Sequence, residues 1–165
     1  MIAKALRVNS SLTRLNLCQN QIGDEGAKAI GAALAVNGSL TRLDLAQNGI
    51  GTEGGVAIAQ ALKVNGPLTR LNLSQNQIGD EGGNAIAEAL AVNDSLTWLD
   101  LDFNNIGQEA KKMLKDAANA YLELTAEHLN RWAILRENFK AVFCCILGCT
   151  GGFPSEQSRE SAEVL

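Results

Sequence analysis

Between residues 11 and 118 the apolar positions follow two alternating rhythms. Leu15 and Leu17 stand two apart among polar neighbours, which predicts a short strand with one buried face. Further along, Ala29, Ile30, Ala33 and Leu34 recur at steps of three and four, which predicts a helix with one apolar face. The pair of rhythms then starts again. Leu12, Leu40, Leu68 and Leu96 are each separated by 28 residues, and the neighbouring sequence moves with them, so the period belongs to the whole segment. Each unit opens L-x-x-L-x-L-x-x-N-x-I-G, as Leu12, Leu15, Leu17, Asn20, Ile22 and Gly23 show.

The boundaries of each unit carry their own signals. Asp24, Thr52 and Asp80 sit where a helix N-cap would accept hydrogen bonds from free amides, and Glu25, Glu53, Glu81 and Glu109 where the helix dipole favours an anion. Asn37-Gly38 and Asn65-Gly66 supply residues that tolerate a left-handed turn at the other end. Asn20, Asn48, Asn76 and Asn104 fall just past each strand, where a turning backbone leaves polar groups that a column of side-chain amides can satisfy. A single strand–turn–helix unit cannot bury both of its apolar faces. The units therefore stack side by side.

This pattern resembles the leucine-rich repeat, and the 28-residue unit with a full helix resembles its ribonuclease-inhibitor-like subclass. The stretch IGDEGAKAIGAAL is similar to repeats of Ran GTPase-activating proteins and NOD-like receptors. The resemblance implies an α/β solenoid, a right-handed horseshoe segment with its parallel sheet on the concave face and its helices outside. On that reading residues 1–118 form the solenoid, with a partial first repeat, three full repeats and a degenerate last one. Residues 119–148 form an amphipathic helical cap, with Leu129, Trp132, Leu135, Phe139, Val142, Phe143 and Ile146 on one stripe, and 149–165 a disordered tail.

Strand side chains alternate, so the residues between the buried leucines face the concave side. One row is Arg14, Arg42, Arg70 and Trp98, and its neighbour is Asn16, Asp44, Asn72 and Asp100. Beyond them run Cys18, Ala46, Ser74 and Asp102, then Gln19, Gln47, Gln75 and Phe103. The bland expectation is that the Arg and Asp rows pair with one another and keep the surface soluble. The sharper one is a protein-docking site formed by Arg14, Arg42, Arg70, Trp98, Asp44, Asn72, Asp100 and Phe103, because Arg and Trp are favoured interface anchors. Trp98 packing beneath the C-terminal segment is a third option.

Composition narrows the chemistry. Hydrophobic residues make up 46% of the chain but aromatics only 4%, so aliphatic side chains must fill the layers. The net charge of −4 comes without clustered Lys and Arg, which argues against a nucleic-acid partner. Cys18 stands alone and Cys144, Cys145 and Cys149 crowd near the end, a spacing that favours a reduced, cytoplasmic protein over a disulfide framework. With His128 as its one histidine, and with neither a phosphate-cradling loop nor a nucleophile elbow, the chain reads as a non-enzyme needing no metal and no cofactor. The apolar run at 141–149 is about half of the ~20 residues that span a membrane, so no span is expected; the C-terminal stripe could meet a partner helix or a membrane surface instead of capping the stack, and acylation of Cys144 and Cys145 is the other route to a membrane. The chain opens inside a repeat, which predicts either upstream repeats or a lone capping turn over Met1–Asn9. The expected function is that of a protein-binding module. The alternatives are a GTPase-activating protein of the Ran-activator type and a repeat fragment with no activity of its own.

Overall fold

The computed structural model describes residues 1–126. Four three-residue strands, β1 (Arg14–Asn16), β2 (Arg42–Asp44), β3 (Arg70–Asn72) and β4 (Trp98–Asp100), form one parallel sheet in chain order. Helices α1 (Ile2–Val8), α2 (Gly23–Leu34), α3 (Thr52–Leu62), α4 (Gly79–Leu90) and α5 (Gln108–Ala126) alternate with them, each packed on the next. This is the expected α/β solenoid, with the sheet lining one side and the helices the other. The register keeps the repeat: Leu15, Leu43, Leu71 and Leu99 are direct partners across the sheet.

The core lies between the two layers. Leu40, Leu45, Ile50, Ile58 and Leu62 are fully buried, as are their counterparts Leu68, Leu73, Ile78 and Ile86 one unit on. Three of the four residues expected on the buried face of α2 are there, and the fourth is not. In α2 the buried set is Ala27, Ile30, Gly31, Ala33 and Leu34, and Ala29 is exposed. Small residues let neighbouring helices come close: a Cβ added at Gly31 would stand 2.8 Å from the carbonyl oxygen of Ala57 in α3.

Two columns of asparagine pin each unit at both ends of its strand. In the expected column, Asn48 is 1% exposed. Its Nδ2 donates to the carbonyls of Leu17 and Ala46 at 2.9 Å, and its Oδ1 accepts from the amides of Asn20 at 3.0 Å and Ile22 at 3.3 Å. Asn76 and Asn104 repeat the arrangement. The second column, Asn37, Asn65 and Asn93, corrects the left-handed-turn reading of Asn37-Gly38 and Asn65-Gly66, none of which has a positive φ. These asparagines are buried, and their Nδ2 atoms donate at 2.7 Å to Leu6, Leu34 and Leu62, carbonyls one unit back.

Helix capping also crosses between units, against the expectation that each acid caps its own helix. α2 begins at Gly23, so Asp24 is already inside it, and neither α2 nor α3 has a cap from its own side chains. Asp24 Oδ1 instead accepts from Gly51 and Gly54, both at 2.8 Å, at the start of the next helix, and Asp80 does the same for Gly107 at 2.5 Å. Thr52 donates to the carbonyl of Ile78 at 3.0 Å.

The two ends of the stack differ. Leu12 is 36% exposed and Leu15 half-buried, whereas Leu96, Leu99, Leu101 and Ile106 of the last unit are buried like those of the inner units. α5 runs on past residue 118 to Ala126. The rest of the expected cap and the tail, with His128, Cys144, Cys145 and Cys149, lie outside the described residues. Among the described residues no helix is long and apolar enough to cross a membrane.

Candidate functional site

The sheet surface is built by alternation. With Leu43, Leu71 and Leu99 turned into the core, the flanking strand residues face outward in rows set by the register: Arg14, Arg42, Arg70 and Trp98 in one, and Asn16, Asp44, Asn72 and Asp100 in the next. Arg14 and Asn16 on the end strand are exposed, while Arg42, Asp44, Arg70, Asn72, Trp98 and Asp100 are half-buried. Phe103 is 78% exposed. All eight expected residues thus belong to the strands or to the turn that leaves them.

The Asn/Asp row has a structural task that the sequence reading missed. One side-chain oxygen of each residue accepts the amide two positions on: Asn16 from Cys18 at 2.8 Å, Asp44 from Ala46 at 3.0 Å, Asn72 from Ser74 at 3.0 Å and Asp100 from Asp102 at 2.9 Å. Asn and Asp alternate in this row because the turn needs only an acceptor oxygen. A threonine row closes the other end of the strands, where Thr41, Thr69 and Thr97 donate to the carbonyls of Thr13, Thr41 and Thr69 at 2.9–3.1 Å. Its 28-residue spacing was visible, but a hydroxyl bonding to the next strand leaves no local mark in sequence.

The turn after each strand holds the outermost row. Gln19, Gln47, Gln75 and Phe103 all have φ between 55° and 61°, a left-handed conformation that side chains larger than Asn seldom adopt. The glutamines support it by linking side chains across units, Gln19 to Gln47 and Gln47 to Gln75. In the third row Ala46 is buried, and Cys18, Ser74 and Asp102 are half-buried.

Charge on this face is uneven. Burial pushes the Asp100 carboxyl above its ordinary range. The Asp102 amide opposes this, while the negative charges of Asp102 and Asp44 add to it. Asp102 is also raised by burial, with Lys111 acting the other way. On the helix side, Lys28 bridges Glu25 at 2.9 Å and Glu53 at 2.6 Å, and Lys63 meets Glu88 at 3.2 Å, joining neighbouring helices. Hydrogen bonds to Glu53 and Glu25 keep Lys28 protonated beyond its usual range. A further periodic row lies at the helix C-terminal ends, where Val8 at the end of α1 and Val36, Val64 and Val92 on the turns after α2, α3 and α4 are exposed. No group of three metal-ligating side chains occurs among the described residues.

A parallel sheet built from regularly stacked strand–helix units, with polar rows on its open face, defines a repeat solenoid. A family model described as Leucine Rich repeat matches residues 8–31, 36–59 and 64–87. These three segments are leucine-rich repeats. Among solved structures it is similar to leiomodin-1 actin-binding site 2, at 22% identity and a TM-score of 0.68, over 88% of this chain and 87% of that one. It is also similar to the C-terminal domain of tropomodulin from Caenorhabditis elegans, at 14% identity and a TM-score of 0.67, over 88% of this chain and 91% of that one. No curated protein sequence matches the chain.

Proposed function

We propose that this chain is a non-enzymatic, cytoplasmic protein-interaction module of the ribonuclease-inhibitor-like subclass, docking a protein partner on its concave sheet. The observation that carries the reading is the register. Arg14, Arg42, Arg70 and Trp98 stand side by side on an open face, and so do Asn16, Asp44, Asn72 and Asp100. A rigid array of Arg, Trp and exposed Phe103 provides interface anchors with little ordering cost on binding.

Leiomodin-1's actin-binding site 2 shares the fold, so actin is the first partner to try. Co-sedimentation with the full chain, alongside the double substitution Arg42→Glu and Trp98→Ala, tests the reading. Docking through the sheet predicts that binding to actin, or to any partner later identified, weakens by about tenfold or more in the variant, as for loss of an interface anchor. Affinity unchanged by both substitutions would remove the sheet as the docking face. Stimulation of GTP hydrolysis by Ran would favour the GTPase-activating alternative.

A further inference from the structure

The sheet face changes character at one strand. The Arg row ends in Trp98, the Gln row in Phe103, and the row of Cys18, Ala46 and Ser74 in Asp102. Three of four rows switch chemistry within the last unit, from cation, amide and small side chain to two aromatics and an acid. Between Leu96 and Gly107 there is no Lys or Arg, although Asp100 and Asp102 lie there two apart, on the same side of the sheet.

We propose that this end of the sheet holds an arginine-bearing, aliphatic-flanked segment of a protein partner, its guanidinium set among Phe103, Trp98 and the carboxylates of Asp100 and Asp102. The inference rests on the docking function above and narrows it to one end of the face and one chemistry. Phe103 is the first reason. Its backbone is left-handed at φ 56° and its ring is 78% exposed, so internal packing does not account for the replacement of the row's glutamine by a large apolar side chain. The second is charge. Burial, and then the negative charges of Asp102 and Asp44, act against the ionised Asp100 carboxyl in a half-buried setting, Lys111 of α5 offsets the burial of Asp102, and an incoming cation favours both carboxylates. The third is shape. A planar guanidinium can lie on an aromatic face while its edge hydrogen-bonds to carboxylates, which an ammonium does less well. The aliphatic flanks of the same segment would cover the exposed ring.

The repeat supplies its own controls, because Phe103→Gln and Asp102→Ser restore side chains that earlier units carry at these positions. Titration of the isotope-labelled full chain with the peptide acetyl-Leu-Arg-Leu-amide, followed by amide NMR shifts, is expected to move residues 98–103 saturably. Binding should weaken about fivefold in each variant, the scale of one lost cation–aromatic or ion contact, with thermal melts showing that both remain folded. The absence of saturable shifts at 98–103, or binding by the two variants as tight as by the parent chain, overturns the proposal. If acetyl-Leu-Glu-Leu-amide binds along Arg14, Arg42 and Arg70 while the arginine peptide does not, this inference fails and the docking face survives. Shifts confined to the helices for both peptides would sink the docking face as well.

Discussion

At Asn48 one side-chain amide closes four hydrogen bonds, two to carbonyls and two from backbone amides, and three of the four reach into the preceding unit. Replacing it with alanine leaves those buried groups without partners. Asn48→Ala is expected to lower stability by about 1–3 kcal/mol in urea unfolding, while Asn20→Ala at the exposed end of the column costs less. Equal losses at the two sites would contradict the column. This row was legible because its period is that of the leucines. The second row was not, because Asn-Gly is a strong local turn signal and a bond from Asn65 to Leu34 leaves no trace near either residue. Asp100 allows a test with a defined sign. Its carboxyl is raised in the folded protein, so the folded state holds the proton more tightly, and stability falls as pH rises from the ordinary aspartate value through the raised one. Asp100→Asn keeps the oxygen that the turn needs, as Asn16 and Asn72 do in the same row. The variant is expected to unfold at higher urea than the parent at neutral pH and to lose that advantage in acid. A lower midpoint at neutral pH would show that the carboxylate is stabilising.

The helices depend on their neighbours for what isolated helices supply themselves. Asp24 lies within α2 but accepts the first free amides of α3, so its removal acts on the following helix. Asp24→Ala is expected to cost about 0.5–2 kcal/mol, the range of a lost N-cap, and hydrogen exchange should rise first at Gly51 and Gly54. Exchange rising only within α2 would contradict the shared cap. Sequence alone places Asp24 correctly near a helix start and assigns it to the wrong helix, because the start moves by one residue to Gly23, whose φ of 60° suits glycine. The apolar face was misread for a related reason. Steps of three and four fit Ala29, Ile30 and Ala33 as well as Ala27, Ile30 and Leu34, and only the packing of α2 on α3 selects between them.

At the scale of the molecule, each unit among the described residues touches only its neighbours, so their stability is a sum of local and nearest-neighbour contributions. At the α1 end of the stack Leu12 is exposed and Leu15 half-buried. Amides of α1 and β1 are therefore expected to exchange before those of β2 and β3, and uniform protection along the stack would contradict this additive picture. The solenoid and the rows on its face were readable in advance, since a fixed period and strand alternation determine both. The paired asparagine columns also set where the chain is free to vary in length. Within each unit they hold a fixed count from one anchor to the next, as from Asn37 to Asn48, so an insertion there would pull two anchors out of step. The stretch after the second anchor, on the helical flank, keeps its own count of 17 residues, as from Asn20 to Asn37 and from Asn48 to Asn65, and it is past Asn104 that the helix lengthens, α5 having 19 residues against the 12 of α2. New sequence can therefore be grafted beyond Asn104 while the inner units keep their spacing on both faces.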